Sequence, residues 1–189
     1  MKKFYLIHGF EGFPNGGWRP WLMGELFKNK CFAVSLSMPN PKVPVVSEWI
    51  NKIQEEIGEI NEEKYLVGHS LGVPAILRYL ETIPEGEKIG GCFLVSGVFE
   101  KINTDLISLI DNFLEKPFDF DHIKKVCDKF YIIHNIFDDH VPFSHAESFS
   151  NELNVPITKI ERENDGHLGD IPYCDELPEL LDLILKNIN

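Results

Sequence analysis

The chain has 189 residues, which suits one domain with one sizeable core. Its 18 Lys and Arg against 30 Asp and Glu leave a net charge of -12, which disfavours nucleic acid and anionic membrane surfaces as partners. Cys31, Cys92, Cys127 and Cys174 show no C-x-x-C spacing, so they predict reduced, mostly buried thiols in a cytoplasmic protein rather than a redox motif or a zinc ribbon.

Apolar β-type runs alternate with helical patterns, without an internal repeat, low-complexity tract or linker. That alternation predicts a single α/β domain over residues 1–189, with a parallel sheet and helices on both faces. The first strand is expected at Lys3–His8. Lys2-Lys3 before Phe4-Tyr5-Leu6-Ile7 has the look of a signal peptide, but the apolar run is too short, and His8, Glu11 and Arg19 follow it closely. No stretch has the length needed to span a bilayer. A helix over Gly17–Lys28 and a strand over Phe32–Leu36 come next, followed by a proline-rich loop from Met38-Pro39-Asn40-Pro41 to Pro44. Val46–Ile60 reads as an amphipathic helix with Trp49, Ile50, Ile53 and Ile57 on one face. Further strands are expected at Lys64–Gly68, Ile89–Ser96, Phe130–His134 and Ile157–Ile160. Several lack polar/apolar alternation, as strands covered on both faces do. Helices are expected at Val73–Glu81, Asp105–Leu114, Asp121–Cys127, Phe143–Leu153 and Asp175–Lys186. The short stretch from residue 96 to 130 leaves no room for a large lid.

Gly68-His69-Ser70-Leu71-Gly72 has the G-x-S-x-G form of a nucleophile elbow. A serine on a sharp strand-to-helix turn crowds its neighbours, and glycines two before and two after it relieve the crowding. Lys64-Tyr65-Leu66-Val67 supplies the strand and Pro74-Ala75-Ile76-Leu77 the helix start, where proline is tolerated. The helix N-terminus also favours negative charge developing beside Ser70. A purely structural turn with an idle serine is the competing reading; the strand before and the helix after argue against it.

A serine hydroxyl needs a base within reach, and the base needs an orienting carboxylate. With this elbow the chain order is serine, acid, histidine. Asn135-Ile136-Phe137-Asp138-Asp139-His140-Val141-Pro142 follows the fifth strand, so Asp138 or Asp139 is the acid. A position four residues before the proline, common in enzymes of this type, selects Asp138, and leaves Asp139 as a solvated loop carboxylate. His167, in Asp165-Gly166-His167-Leu168 after the last strand, is the expected base. Among the other histidines, His69 is the variable residue of the elbow, and His8 ends the first strand in a His-Gly turn. His122 is expected at the surface before a helix. His134, His140 and His145 match no H-E-x-x-H-type spacing and read as hydrogen-bonding residues rather than a metal site. For the oxyanion, the N–H of Leu71 is one expected donor. The N–H of Phe10, in His8-Gly9-Phe10 after the first strand, is the second.

The His-Gly loop, Met38-Pro39-Asn40-Pro41, the elbow, Phe113-Leu114-Glu115-Lys116-Pro117-Phe118-Asp119-Phe120, Asp138-Asp139-His140-Val141-Pro142 and Gly166-His167 together run over nearly the whole chain. On these segments the chain resembles the small serine hydrolases related to retinoblastoma-binding protein nine and the YdeN proteins. The resemblance implies an α/β-hydrolase fold with a short sheet of order 2-1-3-4-5-6 and little cap. It also implies a triad at Ser70, Asp138 and His167, with the Phe113, Phe118 and Phe120 segment lining or roofing the site or packing in the core. Some relatives have a glycine-rich turn in place of His8-Gly9-Phe10-Glu11-Gly12.

The expected chemistry is hydrolysis of a small acyl ester, thioester or amide, with no metal or organic cofactor and a small-molecule substrate. Two rivals remain: acyl transfer to an acceptor other than water, and a binding or scaffold protein that keeps the fold without useful turnover.

Overall fold

β1 (Lys3–Ile7), β3 (Lys64–His69) and β4 (Gly91–Val95) are apolar almost throughout, and nearly every residue in them is buried. Strands of that kind belong at the centre of a sheet with both faces covered. The computed structural model, which describes residues 1–102, 107–164, 166–169 and 174–188, has them there. With β2 (Phe32–Ser35), β5 (Phe130–Asn135) and β6 (Ile157–Ile160) they form a six-stranded sheet of order β2-β1-β3-β4-β5-β6. Every pairing is parallel. This is the expected strand order.

The helices divide between the two faces. Alternate strand residues such as Tyr5, Ile7, Leu66 and Leu94 join α2 (Val46–Ile57), α3 (Gly72–Leu80), α5 (Phe120–Val126) and α6 (Ser144–Leu153) in one core. Phe4, Leu6, Tyr65, Val67, Phe93 and Val95 point the other way. They pack with α1 (Arg19–Lys28) and α7 (Pro178–Asn187) in the second core.

Element ends differ from expectation where the backbone turns. Gly17, with φ 54°, precedes α1, so the helix starts at Arg19 with proline in its first turn. Gly58, with φ 62°, stops α2 short of Ile60. Gly91 and Ser96 (φ 46°) bound β4 more tightly than Ile89–Ser96. The expected helix Asp105–Leu114 is a single turn, α4 (Ile107–Ile110), followed by a 3-10 turn (Asp111–Phe113); Asp105 itself lies outside the described residues. Among the described residues, no helix is long and apolar enough to cross a membrane.

The register sets up the site. Ile7 pairs with Gly68, and His69 with Val95, so the loops leaving β1, β3 and β4 emerge side by side at the carboxyl edge of the sheet. Ligands bind at that edge in open parallel sheets.

Candidate active site

β3 ends at His69 and α3 begins at Gly72, so Ser70 and Leu71 turn the chain. Ser70 has φ 54°, a left-handed conformation that costs energy in a non-glycine residue and persists only where its surroundings impose it. Its N–H donates to the Val95 carbonyl at 2.9 Å, and its carbonyl accepts from the Val73 N–H at 3.0 Å. The flanking glycines are needed for close approach: a Cβ on Gly72 would lie 2.3 Å from the Ile7 carbonyl oxygen, and one on Gly68 2.9 Å from the Gly72 carbonyl. The loop after β1 also lies against the serine, since a Cβ on Gly9 would come within 2.8 Å of Ser70 Cβ.

His167 and Asp138 meet as a buried pair. Nδ1–H of His167 donates to Asp138 Oδ2 at 2.8 Å, with Oδ1 at 3.1 Å. Asp138 Oδ1 also accepts the backbone N–H groups of His140 at 3.0 Å and Val141 at 2.8 Å. Burial alone would raise the Asp138 pKa. The His167 hydrogen bond and charge, the Val141 N–H and nearby His134 outweigh burial and lower it, so the carboxylate is ionised at neutral pH. Asp139 faces solvent and pairs with His140 instead. Asp165 lies outside the described residues.

Three further side chains, none singled out by motif, hold this arrangement. His69 Nε2–H donates to the His167 carbonyl at 2.8 Å, and the two rings lie 4.8 Å apart. Trp18 Nε1–H donates to the next carbonyl, that of Leu168, at 2.6 Å, and its ring meets His69 edge-on. His134 Nε2 lies 3.4 Å from Asp138 Oδ2 and donates to the Val141 carbonyl at 2.9 Å. Burial holds the pKa values of His69 and His134 down, so both act as neutral hydrogen-bonding groups. Their partners are remote in sequence or invisible to any motif.

Ser70 and His167 line one cavity of about 250 Å³, together with Gly9, Phe10, Arg19 and His69 among others. No hydrogen bond joins Ser70 Oγ to His167 in this structure; such contacts are often loose until substrate binds. Among the described residues, the N–H groups of Phe10 and Leu71 donate no hydrogen bond. Leu71 follows the serine at the α3 N-terminus, where unsatisfied N–H groups concentrate.

The other residues that the sequence brings forward lie elsewhere in the fold. Of the two alternatives for Phe113, Phe118 and Phe120, packing holds, and none of them lines the Ser70 cavity. Phe113 is buried against Trp49, while Phe118 and Phe120 pack with Phe99 and line a different cavity of about 690 Å³. His122 sits within the first turn of α5, not before it, and its ring bonds to the Ile83 carbonyl. His145 accepts the Phe99 N–H at 3.0 Å, and His140 stacks on His167 at 5.1 Å. Asp138, Asp139 and His140 offer ligand atoms within 4.8 Å of one another, but the Asp138 oxygens are committed to His167 and backbone N–H groups. The four cysteines are buried, and no disulfide joins them among the described residues.

A family model described as serine hydrolase matches residues 4–184. YdeN of Bacillus subtilis (strain 168) is 31% identical over 183 residues, 97% of this chain and 94% of YdeN. The crystal structure of the ydeN gene product from B. subtilis matches with a TM-score of 0.91 at 29% identity, covering 99% of this chain and 98% of that one. Serine hydrolase RBBP9 of Rattus norvegicus is 23% identical over 158 residues, 83% of this chain and 81% of RBBP9. Est1E from Butyrivibrio proteoclasticus, solved with ferulic acid bound, shares the fold at a TM-score of 0.73 and 15% identity, covering 100% of this chain and 90% of that one.

Proposed function

The chain belongs to the serine hydrolase family, and we propose that it cleaves a small acyl ester, thioester or amide at Ser70 through an acyl-enzyme, as a single α/β-hydrolase domain. The observation that carries this reading is the buried His167–Asp138 pair, with Nδ1 at 2.8 Å from Oδ2, whose His167 lines the same cavity as Ser70. Asp138 fixes the tautomer: Nδ1 carries the proton and Nε2 is free to accept one. His167 Nε2 takes the Ser70 hydroxyl proton as Oγ attacks the carbonyl carbon. The tetrahedral oxyanion is held by the N–H groups of Leu71 and Phe10, which are uncommitted among the described residues. His167 then protonates the leaving group, and water repeats the sequence on the acyl-enzyme. Asp138 stabilises the imidazolium at each stage. A structural neighbour, Est1E, holds ferulic acid, a carboxylic acid, in its crystal structure, in keeping with an acyl ligand here.

A fluorophosphonate probe with a p-nitrophenyl ester series from acetate to octanoate tests the reading. Wild type is labelled at Ser70 and hydrolyses the shorter esters, and Ser70→Ala loses both. Folded wild type that neither labels nor hydrolyses any member overturns it, and adding competing alcohols separates acyl transfer from hydrolysis.

A further inference from the structure

Two guanidinium groups are buried in this fold, and they are treated differently. Arg78 and Arg19 are each only 4% exposed. Arg78 is fully engaged: Glu81 takes Nη1 at 2.8 Å and 3.0 Å, Phe113 O takes Nε at 3.0 Å, and the carbonyls of Lys116 and Pro117 take the rest. Arg19, at the start of α1, makes one hydrogen bond, from Nη2–H to the Phe13 carbonyl at 3.2 Å. Its Nε and Nη1 are buried with no hydrogen-bond partner among the described residues. No carboxylate among the described residues pairs with it, in a chain with 30 Asp and Glu. The Trp18 ring centre lies 5.7 Å from Arg19 Cζ; a buried charge without a counterion is costly and calls for a specific explanation.

Its position supplies one. Arg19 lines the Ser70 and His167 cavity of about 250 Å³. Gly16 lies against the guanidinium, where a Cβ would come 2.7 Å from Arg19 Nη2. Phe13, in the same loop, is half exposed and lines the same cavity. Burial lowers the Arg19 pKa to about 10, which leaves it cationic at neutral pH. Glu11 also lines the cavity but is exposed and makes no ion pair with Arg19 among the described residues.

We propose that Arg19 is the anion-binding residue of the Ser70 cavity, and that the ester cleaved there carries a carboxylate or phosphate close to its scissile carbonyl. This rests on the serine hydrolase reading of Ser70. A guanidinium with unused N–H donors is the side chain best suited to carboxylate and phosphate oxygens. In a cavity this small the anion and the carbonyl belong to one compact molecule. The overall charge of -12 repels anions at long range, so selection rests on this one contact.

Two ester pairs test it, each matched in size and differing in charge. p-Nitrophenyl hydrogen glutarate against p-nitrophenyl valerate carries the charge on the acyl half; 4-carboxyphenyl acetate against 4-carbamoylphenyl acetate carries it on the leaving half. In wild type the charged member of one pair has the higher kcat/KM by about tenfold or more, mostly through KM. In Arg19→Met that ratio falls to about one, and Arg19→Lys keeps part of it. Glutarate or inorganic phosphate, but not glutaramide, raises the Tm of wild type and slows its fluorophosphonate labelling, so wild type alone decides the matter should Arg19→Met fail to fold. Neutral esters turned over with no charge preference in either pair, or an unchanged ratio in Arg19→Met, overturn the anion site and leave the hydrolase intact. Loss of Ser70 labelling and of neutral-ester turnover overturns the hydrolase reading, while the Tm response to glutarate and phosphate still judges Arg19.

Discussion

His69, the residue just before Ser70, donates Nε2–H to the carbonyl of His167 at 2.8 Å. The elbow thereby fixes the loop that carries His167, the proposed base, and Trp18 fixes the next carbonyl. Displacing a catalytic group by about 1 Å can cost about 100-fold in rate. His69→Ala is therefore expected to lower kcat on p-nitrophenyl esters by roughly 10- to 100-fold with a small change in KM. His69→Gln, which can keep a donor, recovers part of the loss. Steady-state kinetics of the two variants check this; wild-type kcat in His69→Ala counts against a positioning role.

The elbow, the acid loop and the His-Gly loop were legible because each is a local pattern with one geometric solution. Gly72 faces the Ile7 carbonyl and Gly68 faces Gly72, as the motif requires. The strand order came from the family resemblance, and the central strands announced their burial by their composition. His69, Trp18 and Arg19 were not legible as site residues, because what defines them is a contact across the fold. The His69–His167 bond joins residues 98 apart, and the Trp18–Leu168 bond joins residues 150 apart. Arg19 is identified by partners it lacks, which no sequence pattern records. The family likeness leaves the aromatic segment around Phe118 open between the site and the core; Arg78, lying 4.1 Å from the centre of the Phe118 ring, holds it away from Ser70.

Asp138 and Asp139 are adjacent and chemically identical, yet only Asp138 reaches His167. Asp138→Asn keeps the shape but exchanges an ionised acceptor for an amide, which can turn the imidazole to the wrong tautomer; a loss on the order of 10⁴ in kcat is expected. Asp139→Asn removes an exposed pair with His140 and changes kcat by less than about threefold. Parallel ester assays and mass-spectrometric labelling of Ser70 read both. Equal losses in the two variants contradict the assignment.

Four histidines are buried in neutral form. Burial lowers the pKa of His8 to about 4, against a smaller raising effect of its bond to Gly9, and it also lowers those of His69, His134 and His145. In the unfolded chain each titrates near about 6.5. The unfolded state thus binds more protons below that pH, and stability falls as pH drops from about 6.5 towards the folded values, by roughly 1.4 kcal/mol per pH unit for each group. The lowered pKa of Asp138 acts at more acid pH: its contribution is present above about 3.9 and is lost as pH falls through the folded value. Urea midpoints at pH 7.5, 6 and 5 should fall steeply over the last interval. His8→Asn should flatten that slope by about one proton. A flat profile from pH 7.5 to 5 would show that these side chains are not buried neutral.

Arg78 and Arg19 predict opposite stability effects for the same substitution. Arg78→Met strips donors from the carbonyls of Phe113, Lys116 and Pro117 and leaves Glu81 without its cation. Glu81 then keeps only the Asp119 N–H at 2.9 Å. Breaking a buried pair on one side costs about 3–5 kcal/mol, so a large fall in urea midpoint is expected. Arg19→Met frees the Phe13 carbonyl, gives up the contact with the Trp18 ring at 5.7 Å and removes a buried charge that has no counterion among the described residues. Its urea midpoint should match or exceed that of wild type, as replacement of a poorly compensated buried charge by an apolar side chain does. Equal destabilisation by the two substitutions would mean that Arg19 has a structural partner. That result would remove the reason to give its guanidinium an anionic ligand.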